Sequence, residues 1–165
     1  MPLADTLLRM AEIPPMYGIR FTDQILAEVS RTLIDKFGKS TDQANGPEVS
    51  IRLAFPGALV KNYEHLIPEM SNHPKDRHVL AAALASAADY LVTLNLKDFP
   101  QKAATQYGVK VLGPSEFLNY LVEFDRSEFE MRPMQQAESI GSTRELLLQR
   151  LAKLVPDFVN HFRFS

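Results

Sequence analysis

The sequence predicts an α/β layered fold with a helical C-terminal extension, and a few observations predict it. Tyr90 to Leu94 is a continuous apolar and β-branched run that suits a strand buried on both faces, and Val109 to Leu112 reads as a second brief strand. Around them apolar residues recur at helical spacing, and helices that alternate with short buried strands pack as layers. Only two strands are evident, which is few for a stable sheet.

Residues 2 to 12 form the first predicted helix, with Pro2 at its start and Leu3, Leu7, Leu8 and Met10 on its apolar side. Thr22 has the chemistry of an N-cap, followed by Asp23 and Gln24 in the first turn. Ile25, Leu26, Val29, Leu33, Ile34 and Phe37 continue as a helical stripe that Gly38 ends, and Glu28 rides on this helix between Leu26 and Val29. Residues 39 to 46 read as a polar loop and 47 to 55 as a short helix broken by Pro56-Gly57. Residues 58 to 70 are expected to be helix and then a turn around Ile67-Pro68.

Pro74 fits the first turn of the next helix, where a missing N–H costs nothing, and Asp76 places negative charge near the positive helix end. Val79, Leu80, Ala83, Leu84 and Ala87 make its apolar face, and the run of alanines lets it sit close against a sheet. After the first strand, residues 100 to 107 are a loop or short helix, and Gly113-Pro114 leads from the second strand into a helix ending at about Phe124. Residues 126 to 141 are polar with little periodicity and read as a connector. Thr143 to Phe162 reads as one amphipathic helix lined by Leu146, Leu147, Leu151, Leu154, Val155 and Phe158, with a kink at Pro156.

A chain of 165 residues suits one domain with a real core and a small appendage. The 45% hydrophobic and 23% charged content is ordinary for a globular protein, and a net charge of −2 gives no global attraction for nucleic acid, though a local patch and metal ions can still supply it. The absence of cysteine removes disulfides, thiol nucleophiles and thiolate metal sites. No apolar run approaches the ~20 residues of a membrane span, and no signal-peptide pattern opens the sequence, so a cytoplasmic location is the expectation.

In an open parallel sheet, polar groups just beyond a strand's carboxyl end face the crevice where ligands bind. Thr93, Asn95 and Asp98 fall there, and Asp76 begins the preceding helix. Each type also has an ordinary role: Asp at a helix start, Asn and Asp in turns, Thr in strands, Glu on a solvated helix face. His65, His73 and His78 invite a zinc reading, but no H-E-x-x-H occurs and His73 and His78 are spaced poorly for one helix face, so zinc is set aside and His78 is expected to pack near the site. Arg31, Lys75, Arg77 and Lys97 are either phosphate contacts or a solvated charged surface. No phosphate-cradling glycine motif is present.

Asp76-Arg77-His78-Val79-Leu80-Ala81-Ala82-Ala83, then Asp89-Tyr90-Leu91-Val92-Thr93-Leu94-Asn95-Leu96-Lys97-Asp98-Phe99, carry a resemblance that continues through Gly108 to Val111, Pro114 to Leu118 and, upstream, Thr22 to Arg31. In this order and spacing the chain resembles the PIN-domain family of metal-dependent ribonucleases, which includes the VapC-type toxins, over roughly the first 125 residues. The resemblance implies a three-layer α/β/α domain with a short central parallel sheet over residues 1–125, followed by a connector and C-terminal helix over 126–165. PIN domains open with a strand bearing an Asp ahead of the segment that matches Pro2 to Glu12, so the expectation is a shortened copy lacking that strand and that Asp.

The resemblance also implies a Mg²⁺ or Mn²⁺ ion. Asp76 is its first ligand, directly or through water, Asp98 the second, and Glu28 holds the other side of the ion or a bound water. Asn95 stands where many members of the family have Asp, and Thr93 would orient a ligand or water through its hydroxyl. The implied function is an endoribonuclease that hydrolyses RNA phosphodiester bonds, as the toxin of a toxin–antitoxin pair. The implied partners are an RNA substrate, an antitoxin protein and a second copy in a homodimer. The alternative is a catalytically inactive PIN-like module that binds a partner protein or RNA. The missing strand and Asn95 favour that alternative, while Glu28, Asp76 and Asp98 favour the enzyme.

Overall fold

The computed structural model describes residues 2–12, 14–139 and 141–164. In chain order its helices are α1 (Pro2–Met10), α2 (Asp23–Phe37), α3 (Thr41–Ala54), α4 (Arg77–Ala85), α5 (Gln101–Thr105), α6 (Pro114–Phe124), α7 (Arg126–Ser139), α8 (Arg144–Leu151) and α9 (Pro156–Phe164). Its strands are β1 (Tyr90–Val92) and β2 (Lys110–Leu112). The strands pair in parallel: the Lys110 N–H donates to the Asp89 carbonyl at 2.9 Å, and the Thr93 N–H to the Leu112 carbonyl at 3.0 Å. The result is a small α/β fold with a helical C-terminal part. Among the described residues no helix is long and apolar enough to cross a membrane.

The chain divides into two compact units. One comprises Ile19–Leu91 and Asn95–Val111 and contains α2 to α5. Here α2 starts and stops where its residues dictate. The Thr22 hydroxyl accepts the Ile25 N–H at 3.1 Å, and Gly38 takes the left-handed conformation (φ 61°) that lets its N–H close on Ile34. Thr22 is fully buried, so Thr22→Ala loses the cap without any solvent replacement. A loss of about 1 kcal/mol in chemical denaturation is expected.

The polar loop expected at residues 39 to 46 is instead helix. Ser40 and Gln43 form a reciprocal capping box, each bond 3.3 Å long, which starts α3 and carries it through Pro47. Residues 58 to 70 contain no α-helix. Leu59 pairs with Phe21 in an isolated parallel bridge, and Glu64–Glu69, which includes Pro68, is a 3-10 turn. That turn packs against α4, whose Leu80, Ala81 and Ala82 are buried with Met70, Leu91, Phe99, Ala104 and Val109 in one apolar cluster. β1 is shorter than the expected run, and Leu94 is exposed.

The other unit comprises Met1–Gly18, Val92–Leu94 and Leu112–Ser165. Residues 126 to 139, expected as a connector, are the helix α7. Its inner face is Phe129, Arg132, Gln136 and Ala137, a helical stripe in which half the residues are polar. Arg132 donates to the carbonyls of Arg9 and Pro14 and to the Glu128 carboxylate, and Gln136 bonds Thr6 and Asp5 of α1. The single C-terminal helix expected over 143 to 162 is two helices, with Pro156 at the first position of α9. Phe129, Phe158 and Phe162 join α7 to α9 through ring contacts of 5.4 to 5.6 Å. Tyr17 packs edge-on to Phe117 and donates to the Leu7 carbonyl, and burial pushes its phenol well above the usual range.

Candidate metal centre

The site lies in the unit that carries α2 and α4, and two short turns build it. Pro74–Asp76 is a 3-10 turn, in which residues three apart eclipse one another, so His73 and Asp76 face the same way. The Asp76 N–H bonds the His73 carbonyl at 2.9 Å. Leu96–Asp98 is the second such turn, closed by the Asp98 N–H on the Asn95 carbonyl at 3.2 Å and anchored by the buried Phe99. A single backbone bond clips the two turns together: the His73 N–H donates to the Asp98 carbonyl at 3.1 Å.

This clip brings one ligand atom each from His73, Asp76 and Asp98 to within 4.8 Å of one another. Two atoms on opposite sides of a small divalent ion lie about 4.2 Å apart. The half-exposed side chains therefore need only a small inward shift to share one. Asp76 occupies the N-cap position of α4 but makes no capping bond; its Oδ2 lies 3.5 Å from His73 Nδ1 instead. Of the ordinary role of an Asp at a helix start, the capping bond is absent and the negative charge at the positive helix end remains. For Asn95 and Asp98 the ordinary role holds in part, because the Asn95 amide donates to Asp98 Oδ2 across their shared turn. The same bond orients the Asp98 carboxylate.

Glu28 is not a member of that group. Its Oε1 lies 3.1 Å from Nε2 of His78, a buried residue on α4, so the α2 carboxylate is tied to the helix that Asp76 begins. Thr93 follows β1 in the other compact unit, and its backbone extends the strand pairing. Lys75 and Lys97 are exposed on the two turns, Arg31 is exposed on α2, and Arg77 Nε donates to the Asn72 carbonyl at 3.3 Å. The Asn72 side chain is buried and has no partner among the described residues.

His73 is the member that sequence reasoning set aside. The spacing tested was that of an α-helix between His73 and His78, whereas the informative spacing is His73 to Asp76 across Pro74, which a 3-10 turn brings into line.

A stretch of 61 residues, 37% of this chain, is 51% identical to the Mycobacterium tuberculosis protein described as "Putative ribonuclease VapC50". The chain resembles the VapC-type PIN-domain family. The matched stretch spans 36% of the VapC50 protein, about a third of its length. No family model and no solved structure matches the chain. The VapC50 match and the acidic turns are different kinds of observation. One is of sequence, and the other is of two loops that the fold clips together.

Proposed function

We propose that this chain is a VapC-type, divalent-metal-dependent endoribonuclease with Asp76 and Asp98 as ion ligands. The observation that carries the reading is the Asp76 carboxylate, which makes no capping bond to its helix and lies within 4.8 Å of ligand atoms of His73 and Asp98. The donor set fits an ion: two carboxylates and an imidazole offer oxygen and nitrogen donors within 4.8 Å of one another, and the buried amide of Asn72, next in the chain to His73, has no partner among the described residues. A divalent ion bound there would supply phosphate charge neutralisation and a lowered water pKa.

The chain's own groups do the rest. Glu28, whose Oε1 lies 3.1 Å from His78 Nε2, takes a proton from the water whose oxygen bonds to phosphorus in line, and the departing oxygen leaves with the electron pair of the broken P–O bond and takes a proton from solvent water. Lys75 and Lys97 contact flanking phosphates, with Arg31 as a further cation. Asn95 keeps Asp98 oriented, and the resemblance assigns a hydroxyl role to Thr93. The same family reading makes an antitoxin protein and a second copy of the chain the natural partners, and Mg²⁺ or Mn²⁺ the ion.

The test is cleavage of single-stranded and structured RNA by the 165-residue chain with Mn²⁺, with Mg²⁺ and with EDTA. Cleavage that needs the ion and stops on chelation is the expected result. A folded chain that binds RNA without cutting it under any of these conditions would overturn the enzyme and establish the inactive binding module.

A further inference from the structure

We infer that His73 is a direct ligand of the ion and gives the centre a preference for Mn²⁺ over Mg²⁺. The inference rests on the metal-centre reading above and adds a donor that the family resemblance does not supply. Three observations carry it. The His73 backbone is fixed from both sides, its N–H to the Asp98 carbonyl at 3.1 Å and its carbonyl to the Asp76 N–H at 2.9 Å, so the ring is delivered between the two carboxylates by the same bonds that bring those carboxylates together. Pro74 limits the backbone of the turn in between. Finally, Nδ1 is directed into the cluster, 3.5 Å from Asp76 Oδ2, and the donor approaching it, the Lys75 N–H, is 3.4 Å away, which is long for a hydrogen bond. An ion would displace a weak interaction.

The chemistry of the donor then sets the preference. Mg²⁺ binds oxygen almost exclusively, dehydrates reluctantly and demands near-ideal octahedral geometry. Imidazole suits transition ions, and Mn²⁺ accepts a nitrogen alongside carboxylates and water. Asn95 is uncharged and already donates its amide to Asp98 Oδ2, so the two carboxylates are the acidic donors of the group and His73 supplies the nitrogen donor beside them.

The experiment is Mn²⁺ binding to the intact chain followed by electron paramagnetic resonance, with Mg²⁺ as competitor, for the native protein and for His73→Gln. His73 is exposed, so the substitution leaves the fold intact, which thermal denaturation verifies. The native protein is expected to show nitrogen hyperfine coupling to bound Mn²⁺. His73→Gln is expected to lose that coupling while still binding the ion, and the ratio of Mn²⁺ to Mg²⁺ affinity is expected to fall by about tenfold or more. Bound Mn²⁺ without nitrogen coupling in the native protein, or an unchanged affinity ratio in the variant, would overturn the inference while leaving a carboxylate-held ion intact. No bound Mn²⁺ at all would overturn both the inference and the metal centre. Nitrogen coupling in a protein that fails to cut RNA would sustain the His73 assignment and reject the ribonuclease.

Discussion

If Asp76 holds the proposed ion, Asp76→Asn is expected to lower metal-dependent RNA cleavage by about three orders of magnitude, because a ligand of that ion would contribute several kcal/mol to charge stabilisation at the phosphate. The substitution is informative because of where Asp76 sits. It occupies a helix N-cap position, and Asn is as good a cap as Asp, so the start of α4 loses only a carboxylate's small interaction with the helix dipole. The Asp76 side chain makes no capping bond to begin with. Thermal stability is therefore expected to stay within about 0.5 kcal/mol of the native protein. kcat/KM with Mn²⁺ and the melting temperature, measured on the same preparation, separate the two roles. Lost stability with retained activity would return Asp76 to the ordinary role of a helix-start residue and sink the metal centre.

Arg132→Met destabilises the unit built from α1 and α6 to α9 by roughly 3 kcal/mol, the lower end of the range for removing one partner from a buried ion pair. Methionine keeps the apolar stem, so the loss is polar. The carbonyls of Arg9 and Pro14 lose their donor, and the Glu128 carboxylate loses the guanidinium that holds it at 2.6 Å. Glu128 retains partial exposure, which is why the upper end of the range is not reached. For a chain of this size the melting temperature is expected to drop by about 6–12 °C. Adding Glu128→Gln to the variant removes the orphaned charge and recovers part of the loss. A melting temperature within about 1 °C of the native protein would show that the buried guanidinium contributes nothing net, as some buried pairs do.

The α2 helix, capped at both ends, was legible. Thr22 and Gly38 bound α2 in the sequence as they do in the structure, because an N-cap hydroxyl and a left-handed glycine each act within one turn of chain. The α3 start is equally local, since Ser40 and Gln43 form a capping box, but the polar composition of residues 39 to 46 reads as a loop and the helix was expected only from Pro47. α7 was not legible by pattern at all. Apolar periodicity finds helices that bury apolar residues, and this one buries Arg132 and Gln136 against carbonyls and side chains contributed by the N-terminal segment. Pro156 was recognised as an interruption, but whether it kinks a helix or starts a new one depends on how α8 and α9 pack.

By itself, then, the sequence determined the α/β class, the alanine-rich α4 between Asp76 and the first strand, the caps, and the short order of residues that resembles a PIN domain. These depend on neighbours in the chain, where propensity and hydrogen bonding act over a few residues. The tertiary structure alone decided that His73 joins Asp76 and Asp98, that Glu28 is answered by His78, and that a polar stretch becomes a helix with one buried face. Each of these depends on partners distant in sequence. The bond from the His73 N–H to the Asp98 carbonyl links two turns separated by a helix and a strand, and only the packing of α4 and β1 brings its two ends within reach.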